Sequence, residues 1–82
     1  MFYVYIIFSE SADRYYIGYC SNIEKRLEKH NLGATSSTRP YRPWKLVYYR
    51  KYDSKREAIL LEKEIKRQKS RRYIESLIAQ DG

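Results

Sequence analysis

Residues 2–8 read Phe-Tyr-Val-Tyr-Ile-Ile-Phe, an unbroken run of aromatic and β-branched side chains. A run of this length and type predicts a strand. Glu10, Ser11, Ala12 and Asp13 are polar or small and predict a turn. Arg14 to Tyr19 is strand-like again, so the first twenty residues read as a hairpin. Alternation places Tyr3, Tyr5 and Ile7 on one face of the first strand and Tyr16 and Gly18 on one face of the second. If Tyr5 and Tyr16 are cross-strand neighbours, two phenols stand side by side beside Gly18, where the missing side chain leaves room for close approach to the backbone.

The chain continues in alternation. Ser21 and Glu24 match a capping box, which predicts a helix start. Ile23 and Leu27 form its apolar stripe, and Arg26 and His30 stand one turn apart at the edge of that stripe. Gly33 predicts the helix stop. Asn31 to Pro43 reads as an irregular loop whose hydroxyls and arginines, Thr38, Arg39 and Arg42, suit phosphate contacts. Trp44 to Tyr52 reads as a third strand. Ser54 and Glu57 repeat the capping pattern ahead of a longer helix with Ala58, Leu61 and Ile65 on one face. Glu62 lies on the margin of that face, where a carboxylate needs a partner: an ion pair with Lys66 or a metal. Ser70 breaks the helix, and Tyr73, Leu77 and Ile78 predict a short last helix that packs back. Asp81 and Gly82 are expected to be loose.

The chain has 82 residues, enough for one domain over 1–82 that buries about 60% of its unfolded surface. A hydrophobic content of 43% with 16% aromatics excludes a disordered segment. The longest apolar run is too short to cross a membrane and carries no basic leader. A single cysteine, Cys20, excludes an internal disulfide and suits a cytoplasmic location. A net charge of +7 points to a polyanionic partner. Lys63 to Arg72 holds the densest basic run, with Lys66, Arg67, Lys69, Arg71 and Arg72 as candidate backbone contacts. No Gly-rich phosphate loop, Cys/His metal cluster or nucleophile elbow is present.

Tyr3-Val4-Tyr5 followed by Tyr16-Ile17-Gly18, with Arg26, His30 and Glu62 in order, resembles the GIY-YIG nuclease family, in particular its small stand-alone bacterial members. The resemblance covers nearly the whole chain. It implies an α+β fold with a three-stranded antiparallel sheet flanked by helices in the order β-β-α-β-α-α. It also implies a metal-dependent DNA endonuclease. In that reading Glu62 holds Mg²⁺ or Mn²⁺, Arg26 clamps the phosphate, Tyr5 or Tyr16 activates water, and His30 takes the proton onward. These five side chains are then expected on one concave patch, with Arg26 and the metal lowering the tyrosine's pKa. Gly18, Thr38, Arg39, Arg42 and the basic run would contact nucleic acid.

Two departures stand out. Tyr3 replaces the first glycine of the motif. The asparagine that often follows the glutamate helix is absent, leaving Ser70 or Lys69 to make that contact. Without a targeting domain, high sequence specificity is not expected of this chain alone, and a protein partner is one route to targeting. The alternative is a non-catalytic nucleic-acid-binding module that uses its tyrosines as stacking platforms.

Overall fold

The computed structural model describes residues 1–81. Strands β1 (Phe2–Ser9) and β2 (Arg14–Cys20) form the expected hairpin. Helix α1 (Ile23–Leu32), a short 3-10 helix (Arg39–Tyr41), β3 (Lys45–Tyr52), α2 (Lys55–Gln68) and α3 (Arg71–Asp81) follow. The sheet is antiparallel throughout, in the order β2-β1-β3. The expectation for Gly82 lies outside the described residues, and Asp81 closes α3.

β1 is central and covered on both faces, which is why its sequence is continuously apolar rather than alternating. Val4 and Ile6 pack with Ala58 and Ile65 of α2 and Ile74 of α3. Tyr5 and Ile7 pack on the other face with Cys20 and Trp44, under Ile23 and Leu27 of α1. Ile6, Ile7 and Ile65 are almost wholly buried, and each such side chain contributes about 1.5–3 kcal/mol.

Local chemistry corrects several boundaries. The cap of α1 is Asn22, not Ser21: Asn22 Oδ1 accepts from the Lys25 amide at 3.0 Å. Ser54 caps α2 as expected, its hydroxyl accepting from the Glu57 amide at 3.2 Å. Gly33 ends α1 at φ 82°, a left-handed conformation that disfavours other residues. The segment after it is less irregular than expected, because α1 runs on through Asn31 and Leu32 and the 3-10 helix orders Arg39 to Tyr41. Trp44 lies just outside β3. Asn31 holds it there, with Oδ1 accepting from the Trp44 amide at 2.6 Å and Nδ2 donating to the Trp44 carbonyl at 3.0 Å. Lys69 carries the chain out of α2 at φ 47°, and Ser70 caps α3 by accepting from the Tyr73 amide at 3.1 Å.

The hairpin register decides how the two tyrosines meet. Tyr5 stands opposite Gly18, and Tyr16 stands opposite Ile7. The two tyrosines are therefore diagonal neighbours on one face, not a direct pair.

Candidate active site

A cleft of about 420 Å³ opens along the edge strand β2. Tyr5, Tyr16, Gly18 and Cys20 line it from the sheet, Arg26 from α1, and Lys55 and Glu62 from α2. The tyrosines belong to the face under α1, whereas α2 packs on the opposite face. Glu62 reaches the cleft because β2 has no strand beyond it, so a side chain at the margin of α2 can pass its edge. Four of the five residues expected together thus line one hollow.

The fifth, His30, lies behind Tyr5. It is 1% exposed, far deeper than a position at a helix margin implies. Its Nε2 lies 3.0 Å from the Tyr5 hydroxyl and its Nδ1 lies 2.8 Å from Thr38 Oγ1. The Tyr16 ring meets the imidazole edge-on, with centroids 5.0 Å apart. Both imidazole nitrogens are engaged within the protein. Burial pushes the Cys20 thiol above its ordinary pKa, against the pull of the Asn22 backbone and Arg26.

Gly18 is close to Tyr5 in a way that explains the motif. A Cβ built on Gly18 would meet the Tyr5 hydroxyl oxygen at 2.5 Å and its Cζ at 2.7 Å. The space left by the missing side chain is filled by the protein's own phenol, not kept for a nucleic acid. Burial is the largest influence on Tyr5 and holds its pKa well above the ordinary value. Tyr16 adds to that rise, and Arg26 opposes it without prevailing. Arg26 by itself therefore does not bring the Tyr5 phenol below its ordinary pKa. His30 is shifted down, first by burial and then by Arg26, and is therefore neutral near pH 7.

Glu62 is half-buried, its side chain 14% exposed, and forms a loose ion pair with Lys66 at 3.6 Å. Among the described residues no three His, Cys, Asp or Glu side chains gather into a metal cluster. One carboxylate facing a polar, water-accessible hollow suits Mg²⁺ or Mn²⁺, which keep most of their waters, rather than zinc.

The candidate backbone contacts separate into two groups. Thr38 is 1% exposed and bonded to His30, so it cannot reach a phosphate. Arg71 is tied to the hairpin turn, donating to Asp13 Oδ1 at 2.6 Å and to the Asp13 carbonyl at 3.1 Å, and it also pairs with Glu75. Arg67 pairs with Glu64. Arg39 and Arg42 are exposed, although each gives its Nε–H to a local carbonyl. Among the described residues no ion pair holds Lys69 or Arg72. Lys66, Lys69, Arg14 and Arg71 rim a second hollow on the β2 side of α2, lined by Ile65 and Ile74. Ser70 spends its hydroxyl as a helix cap. Lys55 escaped the sequence reading, although its spacing of seven from Glu62 on a helix puts both on one face.

A model described as the GIY-YIG catalytic domain matches residues 1–74. A UPF0213 protein of Staphylococcus saprophyticus is 43% identical over 65 residues, spanning 78% of each chain. A UPF0213 protein of Staphylococcus aureus is 42% identical over 76 residues, covering 88% of this chain and 92% of the relative. The solution NMR structure of a UPF0213 protein from Bacillus halodurans superposes with a TM-score of 0.64 at 36% identity, covering all of this chain and 87% of that one.

Proposed function

The chain belongs to the GIY-YIG catalytic-domain family, and on that premise we propose that it is a metal-dependent endonuclease hydrolysing DNA phosphodiester bonds in the cleft along β2. The observation that carries this reading is the meeting of Tyr5, Tyr16, Arg26 and Glu62 in one polar hollow with a neutral imidazole bonded behind Tyr5.

Arg26 offers a planar fork to the scissile phosphate and balances charge as it accumulates on the phosphoryl oxygens. The attacking water gives its proton to the Tyr5 oxygen while the Tyr5 hydroxyl proton passes to Nε2 of His30. This concerted transfer never requires a free phenolate, which matters because burial disfavours that charge. The water oxygen forms the new bond to phosphorus, the bond to the 3′ oxygen breaks, and that oxygen takes a proton from solvent on the open side. A divalent cation, Mg²⁺ or Mn²⁺, held by Glu62 would supply further charge stabilisation to the phosphoryl and leaving oxygens. Tyr16, edge-on to the imidazole, keeps the ring in place, and of the two tyrosines Tyr5 is the one with a route for its proton. The exposed cations Lys66 and Lys69 continue the positive surface along the same edge and suit a backbone that runs past the cleft.

One observation favours the alternative of a non-catalytic nucleic-acid-binding module: Glu62 already has a cationic neighbour in Lys66. A Mg²⁺-dependent nicking assay on a panel of linear, nicked, flapped and branched DNAs separates the two. Wild type should cut at least one substrate. Glu62→Gln should abolish cutting and leave binding in EDTA nearly unchanged. A wild type that cuts none of them hands the protein to the binding-module reading.

A further inference from the structure

His30 carries its proton on one ring nitrogen or the other, and only one choice serves the chemistry above. If Nε2 bears the hydrogen, it donates to Tyr5 and has no lone pair with which to receive the Tyr5 proton. If Nδ1 bears it, Nε2 is free to accept. We propose that Thr38 is a positioning residue that holds His30 as the Nδ1–H tautomer and thereby makes Tyr5 a proton relay.

The argument runs from the two ends of a buried hydrogen-bond chain. At one end is the carbonyl of Thr35, which can only accept. The Thr38 hydroxyl donates to it at 3.3 Å. With its one hydrogen so placed, Thr38 Oγ1 can only accept from His30, and the 2.8 Å contact is then Nδ1–H donating to oxygen. Nε2, left with its lone pair, takes the Tyr5 O–H at 3.0 Å. At the other end the Arg26 guanidinium, which can only donate, lines the cleft together with the Tyr5 phenol and opposes the rise that burial imposes on it. A cation there favours the phenol oxygen's lone pairs toward the cleft and its hydrogen away from it, toward His30. Both ends therefore impose the same direction on the bonds between them. When the Tyr5 proton arrives, the imidazolium has both N–H groups matched to acceptors, Tyr5 and Thr38.

Thr38 is fixed independently of His30. It is 1% exposed, its amide donates to the Thr35 carbonyl at 3.2 Å, and its own carbonyl accepts from Trp44 Nε1 at 2.9 Å. The backbone of Thr38 is thus pinned by the turn and the tryptophan, and its side chain is packed away from solvent.

His30 is the only histidine in the chain, so a ¹⁵N-labelled sample gives one imidazole spin system to read. In wild type, Nδ1 should resonate as a protonated, pyrrole-like nitrogen and Nε2 as a pyridine-like one. Thr38→Val keeps the shape and removes the acceptor. It should move His30 toward the Nε2–H form and lower kcat for nicking by about 10²-fold, the lower end of what a positioned acid–base group contributes, with little change in KM. Thr38→Ser retains the hydroxyl and should restore both the spectrum and most of the rate. A wild-type spectrum with Nε2 protonated overturns the proposal, as does a Thr38→Val protein with unchanged tautomer or unchanged kcat. If Thr38→Val does not fold, the wild-type and Thr38→Ser spectra still decide. The kinetic half rests on the nuclease reading, but a wild type that cuts nothing refutes that reading and not the tautomer, which the spectrum settles without any substrate.

Discussion

Gly18→Ala tests the central packing relation of the cleft. The added Cβ would stand 2.5 Å from the Tyr5 hydroxyl oxygen and 2.7 Å from Cζ, against about 3.5–4.0 Å for comfortable carbon contacts. Tyr5 is 2% exposed, held between Gly18 and His30, so the ring must move by about 1 Å into occupied space. Overpacking of this kind costs about 1–3 kcal/mol. The displaced phenol also loses its bond to His30, a further ~0.5–1.5 kcal/mol. Reduced freedom of the unfolded chain returns about 0.4–1 kcal/mol. The three ranges combine to a net loss centred on ~2 kcal/mol, which corresponds to a fall in Tm of about 8–16 °C for a domain of this size. Thermal and urea unfolding of wild type, Gly18→Ala, Tyr5→Phe and the double variant form a cycle. Tyr5→Phe removes the oxygen that makes the shortest contact, so alanine at position 18 should cost at least ~0.5 kcal/mol less in that background. The reasoning is refuted if Gly18→Ala unfolds within about 0.5 kcal/mol of wild type, or if the cycle is additive within that margin.

Arg26→Ala should cut the nicking rate by about 10²–10³-fold, as expected when one preorganised charge stabiliser is lost, while a filter-binding titration in EDTA changes much less. Binding to duplex DNA should weaken with salt at a log-log slope of about −0.9 per neutralised phosphate; Lys69→Ala or Arg72→Ala should shallow the slope by about one such step, whereas Thr38→Ser should leave it alone. His30 has a folded-state pKa below its ordinary value of 6.5, so its contribution to stability is complete above that pH and is lost as pH falls through the folded pKa. Urea midpoints measured downward from pH 7 should therefore fall below about 6.5, and a variant lacking the imidazole should show a flatter profile across that range.

Much of the scaffold is written locally. The apolar run 2–8, the Ser54 cap and the Gly33 stop each act over a few residues, and the structure places each where the sequence pattern does. The tyrosine register was within reach as well. A turn over Glu10 to Asp13 pairs Ser9 with Arg14, and counting back along an antiparallel pair then sets Tyr5 against Gly18. Asn22 and Ser21 are equivalent as cap-forming residues, and only the backbone path into α1 selects Asn22. The depth of His30 was not legible. Helical spacing sets its direction from Arg26, but its burial depends on Thr38 and Trp44, which the 3-10 turn brings back over the end of α1. Nor does spacing tell that Arg71 is committed to Asp13 across 58 residues of chain. A charge run shows where cations are, not which of them are already paired.

The passage of Glu62 around the uncovered edge of β2 ties the cleft to the completeness of folding. The hairpin and α1 contribute Tyr5, Tyr16 and Arg26, whereas the carboxylate comes from α2, packed on the far face of the sheet and more than thirty residues later in the chain than Arg26. A chain whose last two helices are undocked keeps its basic residues but lacks the carboxylate that lines the cleft, so on the nuclease reading it would hold a nucleic acid without cutting it.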